Sequence, residues 1–201
     1  MCRPSPDLAG HPDRLRWNAR YGGDYAATFR PHPLAAAALP LLRPAGPVLE
    51  LAAGPSGSAL LAAAAGHPVT AVDISDTALE LLAAEAGRRG VGERLVLVQA
   101  DLAAWDPGPD RYALVLCTNF WARAVFGAAL GAVAADGVLA WESLTVAARG
   151  QRPGLPAQWC VAPGEPASLL PAGFEVLDQH DVPGQPAVRR QLLARRRRAA
   201  D

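Results

Sequence analysis

A chain of 201 residues is about the size of one ordinary domain, and half of this one is hydrophobic, with 19 basic residues, all arginine, balancing 19 acidic ones. Zero formal charge excludes a broad electrostatic grip on nucleic acid or an anionic membrane, and the apolar content excludes intrinsic disorder. The absence of lysine removes Schiff-base chemistry and the lysine-bearing phosphate loop.

Cys2, Cys117 and Cys160 are far apart and odd in number, so they form neither a CxxC pair nor a secreted disulfide framework. The opening MCRPSPDLAG lacks the apolar stretch of a signal peptide, and no apolar run is long enough to span a bilayer. The expectation is a cytoplasmic protein.

The first sixteen residues, punctuated by Pro4, Pro6, Gly10 and Pro12, read as a loose or capping arm, followed by an aromatic and arginine-rich patch, Arg16–Tyr25. Pro33–Leu42 is an apolar helix that serves a dimer contact as readily as a core, so a monomer and a homodimer are both open. An α/β rhythm begins at Val48. Val48–Ala52 is a strand, Gly54–Gly57 a turn, and Ser58–Gly66 a small-residue helix. Val69–Ile74 is a β-branched second strand. Ser75, Asp76 and Thr77, with Glu80 following, offer N-caps and a capping box for a helix that Gly87 or Gly90 ends. Leu95–Gln99 and Tyr112–Cys117 are further strands, Arg123–Ala135 a helix, and Val138–Ser143 a fifth strand after the Asp136-Gly137 turn. Phe174–Asp178 and Val188–Ala194 close the chain as a hairpin, because the link between them is too short for a parallel crossover. Arg195–Arg198 reads as the start of a solvated basic tail over 195–201.

Near-continuous apolar strands alternating with helices predict an α/β fold: a single-domain, Rossmann-like, seven-stranded, mostly parallel sheet with an antiparallel last strand and helices on both faces. The expected organisation is an N-terminal arm with cap helices over 1–46, a core over 47–194, and an insert at 143–172.

Ligands of such sheets bind outside the carboxyl ends of the strands, where strand order reverses. The chain places Glu50, Asp73 and Asp101 at three successive strand ends, one βα unit apart. A carboxylate accepts both hydroxyls of a ribose, and a second accepts from an exocyclic amine. The glycine turn lets a ligand approach the backbone. A pyrophosphate would need G-x-G-x-x-G, whereas this chain has only Gly54-x-x-Gly57 with the acid Glu50 behind it. The charge balance therefore favours a cationic, phosphate-free nucleoside such as S-adenosylmethionine over a nicotinamide cofactor.

VLELAAGPSGSALLAAAAGHPVTAVDIS (Val48–Ser75) resembles the cofactor-binding segment of class I S-adenosylmethionine-dependent methyltransferases. QADLAAW (Gln99–Trp105) and GVLAWESLT (Gly137–Thr145) resemble that family's acid beside the adenine and its fifth strand. The RWNARY opening and the stretch Trp159–Asp181 are similar to the small tellurite-resistance-type (TehB-like) members. The resemblance implies S-adenosylmethionine as cofactor. It places Glu50 at the methionine amino end and Ala52 and Gly54 in the loop against methionine and ribose. Asp73 falls on the ribose hydroxyls, Ile74 and Leu102 against the adenine, and Asp101 on its amine. Asn119 and Phe120 fall between sulfonium and acceptor. Ala52 and Ala53 stand where the family usually carries Gly and Cys or Gly, which restricts the backbone if φ > 0 is required there.

The implied reaction is methyl transfer to a small-molecule acceptor: a thiol, chalcogen oxyanion, amine or hydroxyl. Trp17, Arg20, Tyr21, Phe120 and Trp121 are the candidate acceptor-side residues, with Arg20 or Arg30 as holders of an anion. His32 and Glu142 are the candidate bases. No metal is expected, because the four histidines are isolated. Thr118-Asn119-Phe120-Trp121 is not the Pro-Pro-aromatic tetrad of amino-directed DNA methyltransferases, and no nucleic-acid or membrane partner is expected. The rival readings are a non-catalytic S-adenosylmethionine-binding protein and, further off, a nucleotide-dependent oxidoreductase.

Overall fold

Strand β1 (Val48–Leu51) is buried along its whole length, as a central parallel strand must be. In the computed structural model, which describes residues 6–43, 45–183 and 187–198, it pairs in parallel with β2 (Val69–Asp73) on one side and β4 (Tyr112–Thr118) on the other. Cys2, Pro4, Pro44 and the last three residues of the basic segment lie outside the described residues. β3 (Leu95–Gln99), β5 (Val133–Leu144), β6 (Phe174–Val182) and β7 (Arg189–Arg196) complete a seven-stranded sheet of order β3-β2-β1-β4-β5-β7-β6. β7 runs antiparallel to both β5 and β6, so the closing hairpin inserts its second strand next to β5. Strand order reverses between β1 and β4.

Helices α3 (Gly57–Ala64) and α4 (Asp76–Arg88) cover one face together with α2 (Pro33–Ala38). Leu34, Leu60, Ala63, Leu82, Leu114 and Leu116 form the core there. The small side chains Ala59, Ala62 and Ala63 let α3 lie close against the sheet. On the other face α5 (Arg123–Ala132) packs Phe126 and Ala129 against Leu49, Val115 and Trp141. Among the described residues no helix is long and apolar enough to cross a membrane.

Four local expectations change. A helix, α1 (Pro12–Tyr21), starts inside the segment read as a loose arm, because His11 caps it through Nδ1 to the Asp13 N–H and Pro12 occupies its first turn. Ser75 is the N-cap of α4 and accepts from the Ala78 N–H, so three residues on there is an alanine and no capping box forms. β5 begins at Val133, pairing with Tyr112, and the Asp136-Gly137 turn is a bulge within it. β7 extends through Arg196. Arg195 donates to the Asp136 and Leu41 carbonyls, Arg196 to Asp110 and the Val133 carbonyl, and Arg197 pairs with Glu175, so this run is tied to the sheet rather than solvated.

Candidate active site

The loop leaving β1 carries two residues in the left-handed region, Ala52 (φ 50°) and Gly54 (φ 57°). For Gly54 this costs nothing; for Ala52 it is strain. The loop is held from two sides. Asp73 Oδ2 accepts from the Gly54 N–H at 2.7 Å, while Oδ1 accepts from the Ser75 N–H at 2.8 Å. Ser56 Oγ donates to Glu50 Oε2 at 2.7 Å and accepts from the Ser58 and Ala59 N–H groups, each at 3.0 Å. Two of the first three N–H groups of α3, those of Ser58 and Ala59, are therefore taken by Ser56, and a buried acid stands behind them. That arrangement offers no seat for a pyrophosphate.

Burial pushes the Glu50 carboxyl up to about 7, against the opposing pull of the Ser56 and Ala59 hydrogen bonds. Burial likewise raises Asp73, with its backbone hydrogen bonds working the other way. Asp101 is partly exposed; it accepts from the Ala103 N–H and stands 3.7 Å from His11 Nε2. Ile74 and Leu102 are partly buried, and the Ile74 carbonyl accepts from Gln99.

Helix α1 lies over this row of acids. Arg14 and Asn18 both bind Asp76, and Ser75 Oγ donates to Asn18 Oδ1 at 2.6 Å. A Cβ at Gly54 would lie 3.1 Å from the Tyr21 hydroxyl, so Tyr21 rests on the β1 loop. Burial, reinforced by Asp73 nearby, raises that hydroxyl to about 12 and keeps it neutral. Trp17 stacks on Tyr21, Tyr25 meets it edge-on, and Arg16 sits 5.1 Å from the rings of both Trp17 and Trp159. Arg20 and Arg30 are exposed.

The second turn glycine serves the protein rather than a ligand. A Cβ on Gly57 would fall 2.3 Å from the Phe29 carbonyl oxygen and 2.4 Å from the Arg30 carbonyl carbon. The chain crosses the start of α3 there and delivers His32, which caps α2 by accepting the Leu34 N–H at Nδ1 and donates its own N–H to Ser58. With Nδ1 so engaged, neutral His32 carries its proton on Nε2, which lies 3.2 Å from Glu142 Oε1.

Glu142 is buried near the end of β5. Gln191 donates to its Oε2 at 2.7 Å, and Arg189 Nε lies 3.5 Å from Oε1 while donating to Asn119 Oδ1 at 2.9 Å. Burial opposes ionisation, but His32, Gln191 and Arg189 together hold the carboxyl below its ordinary value. Oε1 is nonetheless a buried oxygen with no aligned donor; the His32 and Arg189 approaches are ion-pair distances. Asn119 is itself left-handed (φ 60°). Phe120 is partly buried and its carbonyl accepts the Trp141 indole N–H, while Trp121 is core, packed on Phe126 and Trp141.

Residues 48–135 match a family model described as a methyltransferase domain. That match runs from β1 to the start of β5 of this chain. Its fold is that of the S-adenosylmethionine-dependent methyltransferases, as solved structures agree. The chain is similar to the 1,6-didemethyltoxoflavin-N1-methyltransferase of Burkholderia thailandensis, solved with 1,6-didemethyltoxoflavin and S-adenosylhomocysteine (23% identity, 98% of this chain and 93% of that one, TM-score 0.68). It is similar to TehB of Haemophilus influenzae (15%, 90% and 67%, TM-score 0.70) and to the magnesium protoporphyrin IX methyltransferase of Synechocystis PCC 6803 with S-adenosylhomocysteine (17%, 94% and 97%, TM-score 0.68). Comparison with the curated proteins found no match.

Around this site, sequence reasoning missed His11, Arg14, Asn18, Arg189 and Gln191. The first three belong to a helix hidden in a proline-rich opening, and their caps were the available signal. Arg189 is 70 residues from the Asn119 it binds, and no local pattern marks it. Among the described residues no group of three or more potential ligands could hold a metal ion.

Proposed function

We propose that the protein transfers a methyl group from S-adenosylmethionine to a small-molecule acceptor. The observation that carries this reading is the β1 loop at the reversal of strand order. Glu50 and Asp73 are buried beneath it, and Ser56 takes the Ser58 and Ala59 N–H groups of the first turn of α3, which suits a cationic nucleoside and opposes a phosphate-bearing one. The cofactor is S-adenosylmethionine. Glu50, Ala52 and Gly54 serve its methionine end, Asp73 the ribose, and Ile74, Asp101 and Leu102 the adenine, with Asn119 toward the transferred methyl. Trp17, Arg20, Tyr21 and Phe120 belong to the lid and acceptor side.

The donor supplies an electrophilic methyl group whose leaving group is a neutral thioether, so departure needs no acid. What the chain contributes is orientation, exclusion of water and counter-charge, and orientation alone lowers such barriers by roughly 7–11 kcal/mol in favourable models. α1, pinned by Arg14 and Asn18, roofs the acids and excludes water. Glu142 is held as a carboxylate, and His32 holds its proton at Nε2, facing it; an acceptor proton leaves toward Glu142 rather than His32.

Calorimetric titration with S-adenosylmethionine, S-adenosylhomocysteine and NAD(H) tests the reading. Saturable binding of the first two with no response to NAD(H) is the expected result. A well-folded sample that binds neither would overturn it.

A further inference from the structure

Arg189 stands at the first position of β7, opposite Leu144 at the last position of β5, and therefore on the carboxyl-end rim of the sheet. Its side chain is about one-quarter exposed and is braced along a single edge: Nε donates to Asn119 Oδ1 and faces the buried Glu142 oxygen. Among the described residues nothing accepts from its two terminal Nη groups. An arginine with Nε anchored and both Nη free presents a rigid two-pronged fork, and such a fork matches a carboxylate or phosphate in plane. The bracing is built rather than incidental. Asn119 is left-handed (φ 60°), a conformation asparagine tolerates, and it holds Nε through Oδ1, while the buried Glu142 carboxylate fixes the guanidinium from the other side.

We propose that Arg189, positioned by Asn119 and Glu142, is the anchoring residue for a carboxylate carried by the methyl acceptor, at a point of the acceptor distinct from the atom that is methylated. This rests on the reading of the neighbouring β1–β4 crevice as the S-adenosylmethionine site. A monoanionic carboxylate fits better than a phosphate dianion, because Glu142 already offsets much of the Arg189 charge. Arg20 and Arg30, the arginines that the sequence offers for this task, are exposed and unbraced by comparison.

The test is calorimetric titration of benzoate, benzamide and phenyl phosphate into the full chain, with and without saturating S-adenosylhomocysteine. Benzoate is expected to bind saturably and benzamide not. Arg189→Gln is expected to weaken benzoate about tenfold while leaving S-adenosylhomocysteine affinity unchanged. If Arg189→Gln does not fold, Arg189→Lys, which keeps the charge and loses the fork, is expected to weaken benzoate by about threefold. Benzoate binding no tighter than benzamide, or binding that survives Arg189→Gln or Arg189→Lys undiminished, would overturn the assignment. Phenyl phosphate binding more tightly than benzoate overturns the carboxylate in favour of a phosphate. Absence of S-adenosylhomocysteine binding overturns the methyltransferase reading instead, and the titrations without it still report on the Arg189 fork.

Discussion

Arg14 meets Asp76 along one edge of its guanidinium in a bidentate pair, Nε to Oδ1 at 2.9 Å and Nη2 to Oδ2 at 2.7 Å, and so joins α1 to the first turn of α4. Burial opposes the Asp76 charge, but the hydrogen bonds from Arg14 and Asn18 outweigh it and hold the carboxyl below its ordinary value. The pair decides whether α1 stays over the acids at the strand ends, since α1 itself contributes no fully buried side chain.

Arg14→Ala is therefore expected to free α1 while the sheet stays intact. Hydrogen exchange across residues 12–21 should accelerate, with exchange in β1, β2 and β4 unchanged. Equal protection of α1 in both proteins would show that the Tyr21 and Trp17 contacts alone retain it.

Ala52 sits at φ 50°, where an L-residue pays for its Cβ. Ala52→Gly is expected to raise stability by about 1 kcal/mol, the strain relieved exceeding the added freedom of the unfolded chain. The urea midpoint reads the effect directly. A lower midpoint would mean that the strain is not borne at this residue.

Gly57→Ala should act in the opposite direction, because the new methyl would lie 2.3 Å from a backbone oxygen of Phe29 and no flexible side chain can yield. A loss of roughly 1–3 kcal/mol is expected, as for overpacking in a core. The displaced Phe29–His32 segment also carries His32 away from Glu142. A melting temperature equal to that of the parent would contradict the close approach.

Glu50 gives the protein a pH dependence of defined sign. Its folded value of about 7 lies above the unfolded 4.5, so the folded state holds the proton more tightly. The resulting stabilisation is complete below about 4.5, declines as pH rises, and is lost above about 7, an effect on the order of 3 kcal/mol. The difference in stability between parent and Glu50→Gln, measured at pH 4.5 and pH 8, isolates this group from the others. A difference that does not change with pH would place Glu50 in a more solvated setting. In the same window S-adenosylmethionine should gain on S-adenosylhomocysteine, which lacks the sulfonium charge, as Glu50 ionises.

β1, β2 and β4 were legible as strands because they are buried on both faces, and a nearly unbroken apolar run follows from that alone. β3 was legible as the apolar run Leu95–Gln99. β5 was harder: 133–135 reads as the end of the preceding helix and Asp136-Gly137 as a turn, and only pairing of Val133 with Tyr112 makes the strand begin there. α1 escaped because its exposed, charged face carries no apolar periodicity; its stability comes from Asp76 and Ser75, residues more than fifty positions away.

The sequence by itself determined the sheet, its crossovers and the three acids at successive strand ends, because periodicity, turn residues and strand termini are local properties that the chain spells out in order. Only the tertiary structure decided that Gly57 makes room for the Phe29 backbone, that Ser56 occupies two of the α3 N–H groups, that His32 keeps its proton on Nε2 toward Glu142, and that Arg189 is braced by Asn119. All but the Ser56 cap, which is local, are contacts between segments far apart in the chain. Register and packing set such contacts to within an ångström, and neither leaves a repeating mark on the residues that make them.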